Sequence, residues 1–419
     1  MSPGLWDSPW PAEDGGPRRL QVPATPVAGW MLPPGGDLAV THREAPGTTM
    51  VVLRAPGEVY VLRHTFGDDA IAWVEQIDPV TLEVERRSVD LPGGPMWPGG
   101  LAAHADGSLH VVFGHHAHRL SADLEVLAAA ELPRRRPYNS FVTLPDGHLV
   151  TKDFAGRRPG QPDAPREPAE LLVLHPETLA IVARLDLPEP SIARLSADGD
   201  DVYVVGDTSL LRVRWVHGEL VLDASMVAPD RTRPGQTYGW DTVIALGAAW
   251  FLDDGEGTDR YNGAFRGQGI STDPLHLVRV DLGSGAVSLT EVCGEPGGLI
   301  ANPPLIDDAR RIAVAFDSGN DALVGFDIAA DGTLAERGRR HQGHAGHLLL
   351  LPATGELITG DHDGDRMADQ VVVLDIHDGA ELARADTGSP LQAVTFPAVG
   401  WHDDVYLTSM STLTRVARA

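Results

Sequence analysis

Apolar residues along this chain occur in short runs that are separated by glycine, proline or aspartate, and the runs come in pairs. Runs of four to eight Val-, Leu- and Ile-rich residues between such breakers are typical of β-strands. Clear examples are LAAHADGSLHVVFG (101–114), FVTLPDGHLVTKDF (141–154), IARLSADGDDVYVVGD (192–207) and LLLLPATGELITGD (348–361). No comparable stretch has the i, i+3, i+4, i+7 apolar spacing of a capped helix. The pattern therefore predicts an all-β protein.

The paired runs recur along the whole chain, and a tight turn marks each copy. The eight turns are centred on Gly57, Gly107, Gly147, Gly199, Gly247, Asp308, Gly355 and Asp403. Each copy continues with a second hairpin, as in ELLVLHPETLAIVARLDLP (170–188). Four antiparallel strands repeated every ~40–50 residues are the signature of a β-propeller blade. We predict a β-propeller of eight four-stranded blades, with seven blades or a pair of β-sandwiches as the alternatives.

The last copy supplies only three strands, in residues 394–418. A ring left open there would expose an unpaired edge strand, which favours aggregation. We therefore expect Asp37–Glu44 (DLAVTHRE) to supply the outer strand of the last blade and to close the ring. Residues 1–36 are rich in proline and glycine and are expected to wrap over the ring as an extension. Residues 37–419 then form a single propeller domain.

Composition and charge exclude several classes of protein. The 419 residues are 42% hydrophobic, which is enough for a core, and they carry 33 Lys+Arg against 59 Asp+Glu, a net charge of −26. This acidic excess argues against nucleic-acid binding, which depends on clustered cations. No run approaches the ~20 apolar residues of a membrane helix, and the start MSPGLWDSPWPAEDGG does not resemble a secretory signal. We expect a cytoplasmic protein without nucleic-acid or membrane partners, and no feature selects an oligomeric state.

The links between strands are much longer on one face of the predicted ring than on the other. With the strands of a blade lettered A to D from the axis outward, the A–B and C–D turns are short. Three B–C links are long, at residues 154–170, 253–275 and 361–370. Long loops tend to carry function. We call this side, which the D–A links share, the long-loop face and the opposite side the turn face. We expect a small-molecule substrate to bind at the long-loop face.

Polar residues recur where the D–A links enter the innermost strands. Asn and Asp oxygens from separate blades can coordinate a hard cation such as Ca²⁺. The predicted metal ligands at these entries are Asn139, Asp241 and Asn302, and the predicted base is His344 or His347. The predicted substrate contacts are Tyr138, Trp240 and Gln392. The alternative is that these side chains cap turns and bind channel water.

The only lysine of the chain, Lys152, lies at the end of a predicted strand B. A desolvated lysine amine can act as a nucleophile or hold a substrate, so we include Lys152 among the candidate catalytic residues. Its neighbour Asp153 offers an ordinary ion pair as the alternative.

A second candidate metal site lies in the link at 361–370. Asp361, Asp363, Asp365 and Asp369 occupy positions 1, 3, 5 and 9 of a D-x-D-x-D-type calcium loop. The sixth position is Arg366 rather than glycine, and an arginine can also neutralise such a cluster without any metal. We therefore carry two hypotheses for this loop, calcium binding and internal neutralisation. The glycine-rich stretch GAFRGQG (263–269) does not join a strand to a helix, so we expect no NAD.

Two segments of the chain resemble a known family. Gly93-Gly94-Pro95-Met96-Trp97, and Tyr138-Asn139-Ser140 followed by Leu144-Pro145-Asp146-Gly147 and Asp153, are similar to motifs of the SMP-30/gluconolactonase and strictosidine-synthase-like propellers. The resemblance implies a Glu, Asn and Asp set that holds a divalent metal, which polarises a lactone or ester carbonyl. Asn139 matches the Asn and Asp241 is the candidate Asp, while Gly94 stands where the Glu is expected. The tryptophan docking repeats of PQQ-dependent quinoproteins are absent, so we expect no PQQ.

The sequence thus supports two functions of different classes. The first is a soluble propeller enzyme that acts on a small molecule by divalent-metal-assisted hydrolysis of a lactone or ester, or by lyase chemistry, with calcium as the expected cation. The second is a non-catalytic propeller that binds a ligand or a partner protein. The fold itself does not choose between them.

Overall fold

The strands assemble into eight antiparallel sheets around a central channel, in an eight-bladed β-propeller. The computed structural model describes residues 3–157, 165–259, 269–390 and 396–419. The prediction of an all-β protein with eight four-stranded blades is confirmed, and the seven-bladed alternative is wrong. Within the described ranges, none of the helices is both long and apolar enough to cross a membrane.

The strands follow the A-to-D order in every blade. The first strand is β1 (Leu38–Glu44). Blade 1 comprises β2 (Thr48–Leu53), β3 (Val59–His64), β4 (Ala70–Ile77), β5 (Val84–Arg87) and the additional β6 (Leu91–Gly94). Blade 2 comprises β7 (Gly100–Ala103), β8 (Leu109–Phe113), β9 (His116–Leu120) and β10 (Val126–Glu131). Blades 3 and 4 comprise β11 (Tyr138–Thr143), β12 (Leu149–Asp153), β13 (Glu170–Leu174) and β14 (Ile181–Asp186); β15 (Ser196–Asp198), β16 (Asp201–Val205), β17 (Ser209–Val216) and β18 (Glu219–Pro229).

The second half of the ring repeats this order. Blades 5 and 6 comprise β19 (Val243–Ala245), β20 (Ala248–Leu252), β21 (His276–Asp281) and β22 (Val287–Glu291); β23 (Leu305–Asp307), β24 (Ile312–Asp317), β25 (Ala322–Ile328) and β26 (Leu334–His341). Blades 7 and 8 comprise β27 (Leu349–Leu351), β28 (Glu356–Asp363), β29 (Ala368–Asp375) and β30 (Glu381–Asp386); β31 (Ala398–Val399), β32 (Val405–Thr408) and β33 (Thr412–Arg418). A short helix, α1 (Gly255–Asp259), lies in the link after β20.

The ring closes through the first strand, as predicted. β1 pairs antiparallel with β33 from Leu38 opposite Arg418 to Glu44 opposite Thr412, and the last sheet has the order β1-β33-β32-β31. Residues from the start of the chain thereby cover the edge that blade 8 would otherwise expose.

Burial falls from the axis outward, because each inner strand packs against neighbouring blades on both of its faces. Strands such as β2, β7 and β12 are buried at every position. The outer strands β10 and β14 instead alternate between exposed and half-buried residues. The continuous apolar runs of the sequence are therefore inner strands, and the alternating runs are outer strands.

Candidate functional site

The N-terminal segment, residues 3–36, lies across the inner strands and enters the channel from the turn face. Its backbone carbonyls accept hydrogen bonds from inner strands of separate blades. These bonds are Leu53 N to Trp10 O at 2.8 Å, Ala103 N to Pro11 O at 2.7 Å, Ala197 N to Pro17 O at 2.8 Å, Ile244 N to Arg18 O at 3.0 Å and Leu350 N to Gln21 O at 2.9 Å. A single 3₁₀ turn (Glu13–Gly15) carries two acidic side chains to the axis. The segment therefore contacts the ring from many directions at once.

The charges that this segment brings to the axis are paired within the protein. Arg19 Nη1 donates to Asp14 Oδ2 at 2.8 Å and its Nη2 donates to Glu13 Oε2 at 3.1 Å. Arg194, at the entry of blade 4, also donates to Glu13. His347 Nδ1 lies 2.8 Å from Asp14 Oδ1. Burial alone would raise the pKa of Asp14, but His347 and Arg19 together lower it to about 2. We call these five residues, together with Asp241, the axial network.

The three metal ligands predicted at the strand entries are all buried at the expected end of the channel. Asp241 Oδ1 accepts the Arg194 N–H at 2.6 Å, and Arg194 Nε lies 3.8 Å from its Oδ2. Asn139 Nδ2 donates to Ile192 O and Asn302 Nδ2 donates to Pro303 O, both at 3.3 Å. Burial raises the pKa of Asp241, and the opposing charges of Arg19 and Arg194 limit that rise.

One oxygen of each of these three side chains accepts no hydrogen bond from the described residues. Among the residues that the structure describes, Asn139 Oδ1, Asp241 Oδ2 and Asn302 Oδ1 have no hydrogen-bond donor. All three residues are 1% exposed or less. Leaving a buried acceptor without a donor costs about 1–3 kcal/mol, so a bound molecule that donates hydrogen bonds to these three atoms would be stabilised.

Lys152 is fully buried at the end of β12, with its amine turned toward the link between blades 3 and 4. Its Nζ donates to Asp153 O and to Ser191 O, each at 3.0 Å. Burial lowers the pKa of Lys152 to about 8, although the nearby carboxylates of Asp153 and Asp241 oppose the shift. The amine is thus held by two carbonyls rather than by the ion pair with the Asp153 side chain that the alternative reading proposed.

The other predicted site residues are scattered around the inner ring. The Tyr138 hydroxyl donates to Glu170 Oε1 at 2.9 Å, so this side chain is directed within its own blade. Trp240 is buried in the apolar cluster between blades 5 and 6, with Val243 and Leu252. His344 is buried at the entry of blade 7, where its backbone oxygen accepts a hydrogen bond from Gln342 at 2.9 Å. Gln392 lies outside the described residues.

The segment predicted as a calcium-binding loop at 361–370 is a β-hairpin, so the expectation of a long loop there is wrong. β28 and β29 continue their pairing through Asp361 opposite Gln370 and His362 opposite Asp369. Cross-strand partners share a face, which places Asp361 and Asp363 on one face of the hairpin and Asp369 on the other. The sequence spacing suits a loop, but alternation along the extended strands separates the carboxylates.

Two carboxylates of this hairpin, those of Asp361 and Asp363, have partners other than a metal. Asp363 accepts Arg366 Nε at 2.6 Å and the backbone N–H of Asp365 at 3.1 Å. Asp361 accepts Gly343 N at 2.9 Å and Arg384 Nη1 at 2.8 Å. The alternative in which arginines neutralise the cluster describes these contacts, and calcium binding stays a prediction.

An aspartate at the end of strand B recurs around the ring and has a structural role. Asp153, Asp253 and Asp317 each accept a backbone N–H through Oδ1, from Glu170, His276 and Leu299 respectively. Glu170 and His276 begin strand C of the same blade, and Leu299 lies in the link that enters blade 6. The acidic residue that ends many copies of the repeat therefore fixes the links of the blade and needs no metal.

A further acidic residue, Asp254, follows one of these caps. It has a left-handed backbone conformation, with a φ of 65°, and its side chain is buried beside Asp253. Burial, followed by the charge of Asp253, raises the pKa of Asp254 to about 8. Asp254 is therefore a carboxyl group that stays protonated near neutral pH.

Two long links of the long-loop face meet above blade 4, which the sequence did not predict. From the blade 3 link, Arg157 Nη2 donates to Glu256 Oε1 at 3.0 Å. From the same link, Arg166 Nη1 contacts both oxygens of Asp207, at 2.8 and 2.6 Å, and its guanidinium lies 4.3 Å from the centre of the Tyr238 ring. Glu256 belongs to α1 in the blade 5 link.

The centre of this contact is the carboxylate of Asp259, the last residue of α1. Its Oδ2 accepts the Tyr238 hydroxyl at 2.7 Å and its Oδ1 accepts the Arg157 N–H at 2.7 Å. Arg157 Nε and Arg166 Nε lie 3.6 and 3.7 Å from Oδ2. We call Arg157, Arg166, Asp207, Tyr238 and Asp259 the loop bridge. The sequence signals the loop bridge only through the arginines and acidic residues of two long links, and this composition does not specify which residues pair.

Comparisons with known proteins agree on the fold and go no further. No family model matches the chain, and no curated protein matches it. Among solved structures, it is similar to a quinohemoprotein alcohol dehydrogenase from Comamonas testosteroni (TM-score 0.62, 11% identity, covering 97% of this chain and 80% of that one). It is also similar to BamB from Moraxella catarrhalis (TM-score 0.55, 13% identity, covering 91% and 97%) and to the computationally designed Ika8 protein (TM-score 0.58, 11% identity, covering 93% and 100%). At such identities, the likeness is one of fold.

Proposed function

We propose that the protein is a binding propeller that receives a small molecule at its long-loop face. The observation that carries the proposal is the set of buried oxygens of Asn139, Asp241 and Asn302 that have no donor within the described part of the chain. They come from blades 3, 5 and 6, and all lie at strand entries on that face. A ligand that brings hydrogen-bond donors would recover the free energy lost when these acceptors left water.

Binding without catalysis is favoured because the groups that catalysis would use are already engaged. His347 is paired with Asp14 and Lys152 is held by two carbonyl oxygens. The N-terminal segment fills the channel from the turn face, so a ligand approaches from the long-loop face. Small molecule, rather than nucleic acid, is the expected class in a chain of charge −26.

The test is a thermal-shift screen of polyols, amines and organic acids on the full chain, followed by calorimetry of the compounds that raise the melting temperature. Asn302→Leu removes an acceptor at nearly constant volume, and we expect it to weaken the binding of these compounds by about tenfold or more. Asn320→Leu makes the same change at a half-buried position outside the strand entries and serves as the control. Compounds that bind both variants like the wild type would contradict the proposal.

A second candidate function is the divalent-metal-assisted hydrolysis or lyase chemistry expected from the sequence. It is favoured by the chemistry of the same three oxygens, which are the hard donors that Ca²⁺ prefers. The charges around Asp241 disfavour a bound cation, because Arg194 Nε lies 3.8 Å from Asp241 Oδ2 and the positive charge of Arg19 also lowers the pKa of this carboxylate. A guanidinium thus already supplies the positive charge that a cation would bring.

The family resemblance that suggested this chemistry also has a structural difficulty. Gly94, which stands in place of the metal-binding Glu, has a φ of 117°, and a Cβ there would lie 2.2 Å from His115 Nδ1. It belongs to β6, which pairs with β4 rather than lining the channel. Metal analysis of protein purified without chelators tests the candidate. A stoichiometric divalent ion that is lost in Asp241→Asn, together with lactone or ester hydrolysis, would establish it over simple binding.

A further inference from the structure

We infer that the loop bridge is a carboxylate-binding site that the chain's own Asp259 occupies, and that its ligand is a small organic carboxylate. The inference rests on the proposed function, because it names the ligand class for the same long-loop face. It draws on different residues, however, and can fail while the binding proposal stands.

The donors around Asp259 have the arrangement of a carboxylate receptor. One oxygen accepts a tyrosine hydroxyl at 2.7 Å and the other accepts a backbone N–H at 2.7 Å. Two arginine Nε atoms lie 3.6 and 3.7 Å away on the hydroxyl side. Guanidinium groups suit the planar, two-oxygen geometry of carboxylates, and such charge-assisted contacts are the strong ones. A ligand carboxylate would meet the same four groups.

Arg166 retains an N–H donor that none of the described residues accepts. Its Nη1 contacts Asp207 and its Nε donates to Ala155 O at 2.7 Å. Its Nη2 has no acceptor within residues 3–157, 165–259, 269–390 and 396–419, although the side chain is only 7% exposed. A buried guanidinium N–H is normally satisfied. A ligand with more oxygens than the Asp259 carboxylate would supply an acceptor for this N–H.

The cations at this place are balanced by carboxylates of the chain. Arg166 lies close enough to Lys152 to lower its pKa further, so the only lysine of the chain lies near this arginine of the loop bridge. Arg157 pairs with Glu256 as well as with Asp259. Because Asp207 and Asp259 balance these cations, a ligand must displace the Asp259 carboxylate to bind.

The experiment compares Asp259→Asn with the wild type in calorimetric titrations with succinate, citrate and inorganic phosphate. The amide keeps the shape of the side chain but removes the competing charge, so we expect succinate or citrate to bind about tenfold or more tightly than to the wild type. Adding Arg166→Gln to Asp259→Asn should abolish this gain. Asp223→Asn is the matched control, because it makes the same substitution in another aspartate that pairs with an arginine. Asp223 lies on the outer strand of blade 4 and contacts Arg212 at 2.6 Å. This variant should bind like the wild type.

Three results would overturn the inference: equal affinities of Asp259→Asn and Asp223→Asn, a gain that survives Arg166→Gln, or phosphate bound more tightly than either carboxylate. If Asp259→Asn does not fold, Tyr238→Phe replaces it, because that variant keeps the ring beneath Arg166 and removes only the hydroxyl donor. It should weaken succinate binding by about threefold or more, and an unchanged affinity would contradict the inference. Compounds whose binding depends on Asn302 but not on Asp259 or Arg166 would leave the proposed function standing without this site.

Discussion

The N-terminal segment and the loop bridge both use contacts between arginine and carboxylate, but they differ in what else holds them. The N-terminal segment enters from the turn face and adds backbone hydrogen bonds to several inner strands, and the charges of its Glu13, Asp14 and Arg19 are almost completely buried. At the long-loop face, the loop bridge joins two links mainly through side chains. Among the described residues, one guanidinium N–H of Arg166 has no acceptor there and three oxygens at the strand entries have no donor.

This difference indicates that the N-terminal segment stabilises the ring, whereas the loop bridge can exchange its partners. Breaking a buried, fully paired set of charges strongly destabilises a protein, because removing one partner leaves the other charge unpaired in a medium of low polarity. Side-chain contacts between links are easier to exchange, since few backbone hydrogen bonds are lost when they separate. The comparison predicts large stability effects from the N-terminal segment and effects on binding and pH dependence from the links of the long-loop face.

The largest effect is expected from Arg19→Met. The substitution keeps the length of the side chain but leaves Glu13 and Asp14 buried without their shared partner, and it should lower the free energy of unfolding by about 3–5 kcal/mol. The adjacent Arg18 donates to Ile244 O at 3.0 Å, lies 3.8 Å from Asp308 and is partly exposed, so Arg18→Met should lower the free energy of unfolding by only about 1 kcal/mol. Urea denaturation measures both. Equal losses would show that the N-terminal segment is no more essential than any surface contact.

The fold was predictable from the sequence because its signals are local and repeated. The turns, the apolar runs and the missing strand of the last blade gave the eight blades and the pairing of β1 with β33. The placement of Asn139, Asp241 and Asn302 at strand entries also followed from the repeat. Each of these inferences needs only the period of the repeat and the alternation of strands.

The partners of these side chains were not predictable in the same way. That Glu13 would neutralise Arg194, or that Asp259 would lie between Arg157 and Arg166, depends on contacts across 93 or more positions of the chain, in segments that follow no repeat. The prediction of a long loop at 361–370 was wrong for a different reason. Its alternating aspartates fit a calcium loop as well as a strand, and only the pairing of β28 with β29 separates the two.

At the long-loop face, Lys152 should make stability depend on pH. Its pKa is about 8 in the folded protein and near its ordinary value of 10.5 in the unfolded chain. Between these values the unfolded state binds more protons, so the free energy of unfolding should rise with pH, by about 2 kcal/mol from pH 8 to pH 9.5. Lys152→Met should remove this rise. A parallel pH profile for the two proteins would mean that the amine is not desolvated.

Asp254 should give the opposite dependence. Burial raises its pKa to about 8 from the ordinary 3.8, so the folded state binds more protons between these values and stability falls as pH rises. Asp254→Asn mimics the protonated form, and asparagine tolerates the left-handed backbone. We expect the variant to be more stable than the wild type, and by several-fold more at pH 7.5 than at pH 5. Thermal or urea unfolding at the two pH values measures this, and an advantage independent of pH would exclude the titration of Asp254 as its cause.

The smallest effect is expected from calcium at the hairpin of blade 7. Asp361 and Asp363 point away from the face of Asp369, and Arg366 and Arg384 already contact the first two. A cation there would have to break these contacts, so millimolar Ca²⁺ should change the melting temperature by less than about 1 °C. A larger rise that disappears in Asp363→Asn would show that the hairpin reorganises around the ion. The long-loop face would then contain two places where internal charges are exchanged for a ligand, instead of the single one in the loop bridge.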